Sequence, residues 1–241
     1  MNLKQISTRI SKKLSNQAFQ LIGLDRFSLM KAQPRDDLAQ MGTEYGGWVI
    51  PVSLLDKDSI CYCVGCGEDI SFDLSLIDRF GCDVFAFDPT PRAIEYVRKT
   101  AGNNLQYHLS EIGLWEKEDE LKFYVPKDSA HVSHSLLNLQ QTEDYICVKV
   151  DRLQNIMQEM NHSKIDLLKI DIEGAEYKVI ESIVEDRLDI KIICVEYDEC
   201  FNPLDRQFKS RIRASIESLV NSGYTLVCAQ GNGNYTLVKD A

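Results

Sequence analysis

Long apolar runs are missing from this 241-residue chain. A stretch of about 18 consecutive apolar residues occurs nowhere, so no transmembrane helix is expected. The first residues also lack the compact apolar core of a signal peptide, which gives a cytoplasmic location as the expectation. Glycine (13) and proline (6) are too few for a linker-rich or collagen-like chain. Basic residues fall short of acidic ones, 27 against 37, for a net charge of −10. A body this acidic is a poor general binder of nucleic acid, and no nucleic-acid partner is expected. Cys63-x-x-Cys66 lacks a second cysteine pair at comparable spacing, which argues against a structural zinc site. The eight cysteines therefore read as reduced, packed thiols.

What is present divides into two parts. Residues 1–35 carry seven basic side chains against Asp25 alone, a net of +6, which leaves −16 on the remainder. Leu3, Ile6, Ile10, Leu14, Ala18, Leu21 and Ile22 recur at helical spacing and form one apolar face. This N-terminal helical segment is expected to dock on its own body or on a second copy, as a homo-oligomer. Peripheral membrane contact through residues 1–22 would use the same pattern. Residues 36–58 read as a connector, with a turn at Tyr45-Gly46-Gly47-Trp48 and Pro51 ending regular structure. The domains expected are thus 1–58, helix and connector, and 59–241, one globular body.

From residue 59 the period changes. Strands are predicted at 59–64, 83–87, 105–109, 145–150, 165–170, 191–195, 224–229 and 234–238. Helices are predicted at 71–80, closed by Gly81, at 91–100, at 152–160, at 175–184 and at 206–221. Thr90 suits an N-cap and Pro91 the first helical position. Segments 112–115 and 121–125 resemble a hairpin, and 126–142 a long polar loop. Gln230-Gly231-Asn232-Gly233 is a strong hairpin signal. The fold class is α/β: a Rossmann-like, doubly wound, mostly parallel seven-stranded sheet with a C-terminal antiparallel hairpin. Ligands of such sheets sit at the carboxyl ends of the strands.

The chemistry-bearing residues follow those ends. Gly65 and Gly67, in Val64-Gly65-Cys66-Gly67-Glu68-Asp69, let the backbone turn tightly beside a ligand. Ile70 stands where a dinucleotide fingerprint has its third glycine. Glu68 and Asp69 would repel a pyrophosphate but suit a cation, which favours S-adenosylmethionine over NAD. Asp88, 21 residues beyond Gly67, is placed to accept ribose hydroxyls, since Thr90 serves as the helix cap and leaves it free. Pro89, Gly113 and Leu114 are candidates for the cofactor wall. Asp171 and Glu173 fall at the end of a buried strand, while Glu176 could stabilise the next helix through its dipole. His134, in His131-Val132-Ser133-His134-Ser135, is a candidate general base with Asp171 as its rival. Asp171, Glu196 and Asp198 form an oxygen-only set that could hold Mg²⁺.

The stretch Asp-Leu-Leu-Lys-Ile-Asp-Ile-Glu-Gly-Ala-Glu at 166–176 resembles the signature of the FkbM-type family of S-adenosylmethionine-dependent methyltransferases. The likeness extends over 59–241 and includes VGCGEDISFDL, FAFDPTP, GLW, VKVDRL and CVEYDE. The resemblance implies a class I methyltransferase fold and transfer of a methyl group to a hydroxyl of a glycan or secondary metabolite. Its catalytic residues would be Asp171, His134 and Glu173. Its cofactor-binding residues would be Gly65, Gly67, Glu68, Asp69, Asp88, Pro89, Gly113 and Leu114. The competing reading is a non-catalytic S-adenosylmethionine-binding module that acts through its basic N-terminal helix.

Overall fold

The computed structural model describes residues 24–124 and 144–239. The expected N-terminal helix, and the loop carrying His131 and His134, lie outside the described residues. In chain order the body contains β1 (Leu38–Met41), β2 (Trp48–Pro51), β3 (Ile60–Val64), α1 (Ser71–Phe80), β4 (Asp83–Phe87), α2 (Pro91–Ala101), β5 (Tyr107–Ser110), β6 (Gly113–Leu114) and β7 (Asp119–Tyr124). It continues with β8 (Tyr145–Asp151), α3 (Leu153–Glu159), β9 (Ile165–Ile170), α4 (Glu176–Glu185), β10 (Ile190–Glu196), α5 (Phe208–Asn221), β11 (Tyr224–Ala229) and β12 (Asn234–Lys239).

Seven strands form one sheet in the order β11-β12-β10-β9-β3-β4-β5. β5, β4, β3, β9 and β10 run parallel, and β12 is antiparallel to β10 and β11. Every residue of β9 is buried, as a central parallel strand covered on both faces requires. Side chains alternate between the two faces. Cys61, Cys63, Val84, Ala86, Leu167 and Cys194 pack with α1 and α2. Tyr62, Val64, Leu168, Ile170, Ile193 and Val195 pack with α3, α4 and α5. Helices on both faces are the doubly wound arrangement that the alternation of elements predicts.

The helices form where apolar residues recur at helical spacing. α1 buries Phe72, Leu76 and Ile77 and stops at Gly81, whose left-handed backbone donates its N–H to Ile77 O at 2.8 Å. α2 begins on Pro91 and buries Ala93, Ile94, Val97 and Ala101.

Two local expectations are corrected. Residues 36–58 are not an irregular connector: β1 and β2 pair antiparallel, and Trp48 and Ile50 are fully buried against the α1 face of the sheet. The aromatic and aliphatic residues around the turn supply the burial that makes the pairing stable. Segments 112–115 and 121–125 do not pair with each other, because β8 lies between them in a sheet ordered β6-β8-β7. β7 pairs along β8 from Asp119–Val150 to Tyr124–Tyr145, far more ladder than the two-residue β6 could offer. No helix among the described residues is long and apolar enough to cross a membrane.

Candidate active site

At the end of β3 the chain must turn beneath its neighbours. Gly65 has φ +84° and donates its N–H to Phe87 O at 2.9 Å. A Cβ there would sit 1.7 Å from the carbonyl oxygen of Asp171, so only glycine fits. Gly67 has φ +51° and open space where a Cβ would point, which leaves its backbone approachable. Ile70 is buried at the N-cap position of α1.

Asp88, at the end of β4, holds this loop. One carboxylate oxygen accepts N–H from Cys66 (2.9 Å) and Gly67 (3.3 Å). The other accepts the N–H (2.9 Å) and hydroxyl (2.6 Å) of Thr90. Thr90 occupies the N-cap position of α2, but its side chain does not cap the helix. The expectation that Thr90 caps and leaves Asp88 free therefore fails. A buried carboxylate needs all its lone pairs answered, and the hydroxyl two residues on is the nearest donor.

The two acids of the loop are turned onto neighbours. Glu68 forms a two-pronged pair with Arg92 at 2.8 Å for both contacts. Asp69 accepts Ser71 N–H at 2.8 Å and the Thr43 hydroxyl at 2.6 Å. Burial opposes the charge on Asp69, but the Ser71 and Thr43 hydrogen bonds outweigh it and hold the carboxyl below its usual range. Pro89 and Gly113 come together, with a Cβ at Gly113 placed 3.4 Å from the Pro89 ring, and Leu114 is buried beside them.

The end of β9 carries the strongest electrostatics. Lys169 is buried, donates to Gly65 O and pairs with Asp171 at 3.3 Å. Burial disfavours its charge, but Asp171 and Asp73 reverse the effect and raise its pKa. Asp73, on α1, accepts the Tyr107 hydroxyl at 2.8 Å, and burial pushes its carboxyl up. Sequence reasoning missed this Lys169–Asp73–Tyr107 cluster. Its signal was a lone lysine inside the apolar strand Ile165–Ile170. Past the strand, Glu173 (φ +50°) and Gly174 (φ +100°) both take left-handed backbone, and the tight turn lets Glu176 fold back to accept Gly174 N–H at 2.8 Å. Burial, with repulsion from Asp198 and Glu173, pushes Glu176 up to about 8.

The end of β10 completes the crevice. Burial, then the charges of Asp171, Glu173 and Asp198, push Glu196 up to about 8 against the pull of Lys169. Burial also raises Asp198, which accepts Asn202 at 2.9 Å and is hydrogen-bonded to Glu173. The structure thus brings Asp171, Glu173, Glu196 and Asp198 within electrostatic reach of one another. It does not arrange Asp171, Glu196 and Asp198 as Mg²⁺ ligands: Asp171 turns to Lys169 and Asp198 to Asn202. Among the described residues no three acidic, histidine or cysteine side chains are gathered as an ion requires. His134 lies outside the described residues.

The Methyltransferase FkbM domain matches residues 65–222. The probable methyltransferase-like protein 24 of Homo sapiens is 30% identical over 130 residues, which cover 54% of this chain and 29% of that protein. The 2-O-methyltransferase NoeI of Sinorhizobium fredii is 25% identical over 163 residues, 61% of this chain and 67% of that protein. The chain thus matches under a third of the length of the methyltransferase-like proteins. Among solved structures, a putative caffeoyl-CoA O-methyltransferase from Staphylococcus aureus aligns with a TM-score of 0.46 at 10% identity, covering 76% of each chain. The Methanococcus jannaschii fibrillarin aligns with a TM-score of 0.45 at 10% identity, covering 88% of this chain and 87% of that one. With 158 of its 241 residues matched to the domain, the chain belongs to the FkbM methyltransferase family.

Proposed function

We propose that the chain is an S-adenosylmethionine-dependent O-methyltransferase whose acceptor is a hydroxyl of a sugar, glycan or secondary metabolite. The observation that carries this reading is the acidic crevice beside the Gly65–Gly67 loop. Burial, and after it repulsion from Asp171, Glu173 and Asp198, pushes Glu196 up to about 8. A cationic ligand relieves that repulsion, whereas a pyrophosphate would worsen it. The bare Cα of Gly67 gives such a ligand close approach to the backbone.

When bound, the cofactor supplies an electrophilic methyl carbon on its sulfonium. Asp69 and Gly67 line the methionine end in this reading. Asp88 takes the ribose hydroxyls by releasing the Gly67 amide, at 3.3 Å the longest of its four contacts. Pro89, Gly113 and Leu114 wall the adenine, and Glu68 steadies the loop through Arg92. Asp171, fixed by Lys169, orients the acceptor hydroxyl. Glu196 would take the acceptor's hydroxyl proton as that oxygen receives the methyl group the cofactor would supply. A carboxyl near 8 is better matched to that task at neutral pH than an ordinary one. Positioning of oxygen, carbon and sulfur in line supplies much of the rate. The O-methyl assignment draws support from the relative named as a 2-O-methyltransferase.

The test is calorimetric titration of S-adenosylmethionine and S-adenosylhomocysteine, followed by mass spectrometry of hydroxyl acceptors incubated with protein and cofactor. Binding, with one methyl added to an acceptor, is the expected result, and Asp171→Asn should abolish transfer. Failure of the wild type to bind either compound overturns the reading.

A further inference from the structure

We propose that the β1–β2 hairpin, which precedes the segment shared with the family, roofs the site, and that the ring of Tyr45 at its tip faces the cofactor's sulfonium. The inference rests on the S-adenosylmethionine reading above.

The hairpin is tied down at three places, two at the carboxyl edge of the sheet and one, within β12, on the α1 face. After β3, the Thr43 hydroxyl donates to Asp69 at 2.6 Å and the Thr43 N–H donates to the Ser71 hydroxyl at 2.8 Å. Gly46 packs so closely on the same carboxylate that a Cβ would lie 2.7 Å from Asp69 Cγ. Beside β10, the Thr236 hydroxyl of β12 donates to Val49 O at 2.7 Å. After β11, Gln230 donates to Gln40 at 3.4 Å. The hairpin therefore reaches from the end of β3 to the ends of β11 and β12, and β9 and β10 lie between these in the sheet.

Tyr45 sits between Thr43 and Gly46, both of which touch Asp69. Tyr45 is 88% exposed, although the turn beneath it is held from both sides and Trp48 and Ile50 are fully buried. Its phenol lies within electrostatic reach of Asp171, Glu196, Glu173 and Asp69, beside the acidic floor. An unanswered group lies nearby: the amide oxygen of buried Asn234, directly across the β10–β12 ladder from Glu196, has no hydrogen-bond partner among the described residues. Carboxylates below, an amide oxygen seeking a donor, and an aromatic face above form an environment for an organic cation. Sulfonium and ammonium are the two cations the cofactor carries.

The experiment uses the full chain and two probes that differ in the charge at sulfur. S-adenosylmethionine and S-adenosylhomocysteine are titrated calorimetrically into wild type, Tyr45→Ala, Tyr45→Phe and Thr43→Val. Tyr45→Ala should weaken S-adenosylmethionine about tenfold and leave S-adenosylhomocysteine nearly unchanged, since only the former is a cation at sulfur. Tyr45→Phe keeps the ring and should bind as wild type does. Thr43→Val loosens the turn and should weaken the sulfonium compound the more strongly of the two. Tyr45→Ala binding both compounds as wild type does, or losing both equally, overturns the proposal, as does Tyr45→Phe behaving like Tyr45→Ala. If wild type binds neither compound, the cofactor reading itself fails, an outcome distinct from a failure confined to the variants.

Discussion

Replacing Glu176 by glutamine should change how stability depends on pH, and the structure gives both sign and size. Glu176 is 1% exposed, accepts Gly174 N–H at 2.8 Å and is pushed up to about 8 from an ordinary 4.5. In the folded protein it keeps its proton at neutral pH, whereas the unfolded chain releases the proton above about 4.5. The folded state then binds more protons, so this residue's contribution is full below pH about 4.5 and is lost as pH rises through about 8. A shift of about 3.5 units at about 1.36 kcal/mol each sets a ceiling of about 5 kcal/mol. Between pH 5.5 and 8.5 roughly 3 kcal/mol of that should disappear. Glutamine keeps the acceptor for Gly174 and cannot ionise. Urea unfolding of both proteins across that range should show the variant's stability relative to wild type rising by about 3 kcal/mol from the acid to the alkaline end. Glu196 titrates in both proteins, so the difference between the curves isolates Glu176. Parallel curves would refute the reasoning.

Three further outcomes follow from the same geometry. Lys169→Met leaves buried Asp73 and its neighbour Asp171 without their cation and should cost about 3–5 kcal/mol, seen as a lower melting temperature. Lys169→Met with Asp73→Asn should recover part of that loss, and a single variant that melts with wild type would contradict the pairing. Gly65→Ala drives a methyl to 1.7 Å from Asp171 O at a φ of +84°, so β3 and β9 must part at their ends and cofactor binding by calorimetry should be lost. Glu196→Gln should remove the rise in methyl-transfer rate through pH about 8 and most of the rate itself, whereas an unchanged pH–rate profile would assign the proton to another group.

Much of the frame was legible because its signals are local. Gly81 after Leu76-Ile77, and Pro91 after Thr90, mark helix ends by backbone preference alone, and both ends fall where expected. The β11–β12 turn at 230–233 is likewise set by its glycines. The Gly65 turn and the Asp171–Glu176 run could be placed at strand ends because the strands before them are short and mostly apolar. The hairpin at 38–51 was harder to see. Its four-residue strands are stable only through Trp48 and Ile50 packing on a sheet that forms later in the chain. The order β6-β8-β7 was hidden for the same reason, since adjacent segments in sequence yielded to a better partner some twenty residues away.

Asp88 marks the limit of spacing arguments most clearly. Its distance from Gly67 placed it correctly at the end of β4, beside the glycine loop. Spacing could not say where its lone pairs go. Four donors within 3.3 Å answer them, two from the loop and two from Thr90. The carboxylate proposed to take the ribose is therefore the peg that gives the loop its shape. Removing it with Asp88→Ala should do more than delete a ligand contact. Cys66 and Gly67 lose their acceptor, and two buried or half-buried amides left unpaired cost about 1–3 kcal/mol each. Cofactor affinity and melting temperature should fall together in Asp88→Ala. Asp88→Asn, which retains one acceptor oxygen, should restore most of the stability and less of the affinity. A variant that lost affinity with its melting temperature intact would show that Asp88 serves the ligand alone.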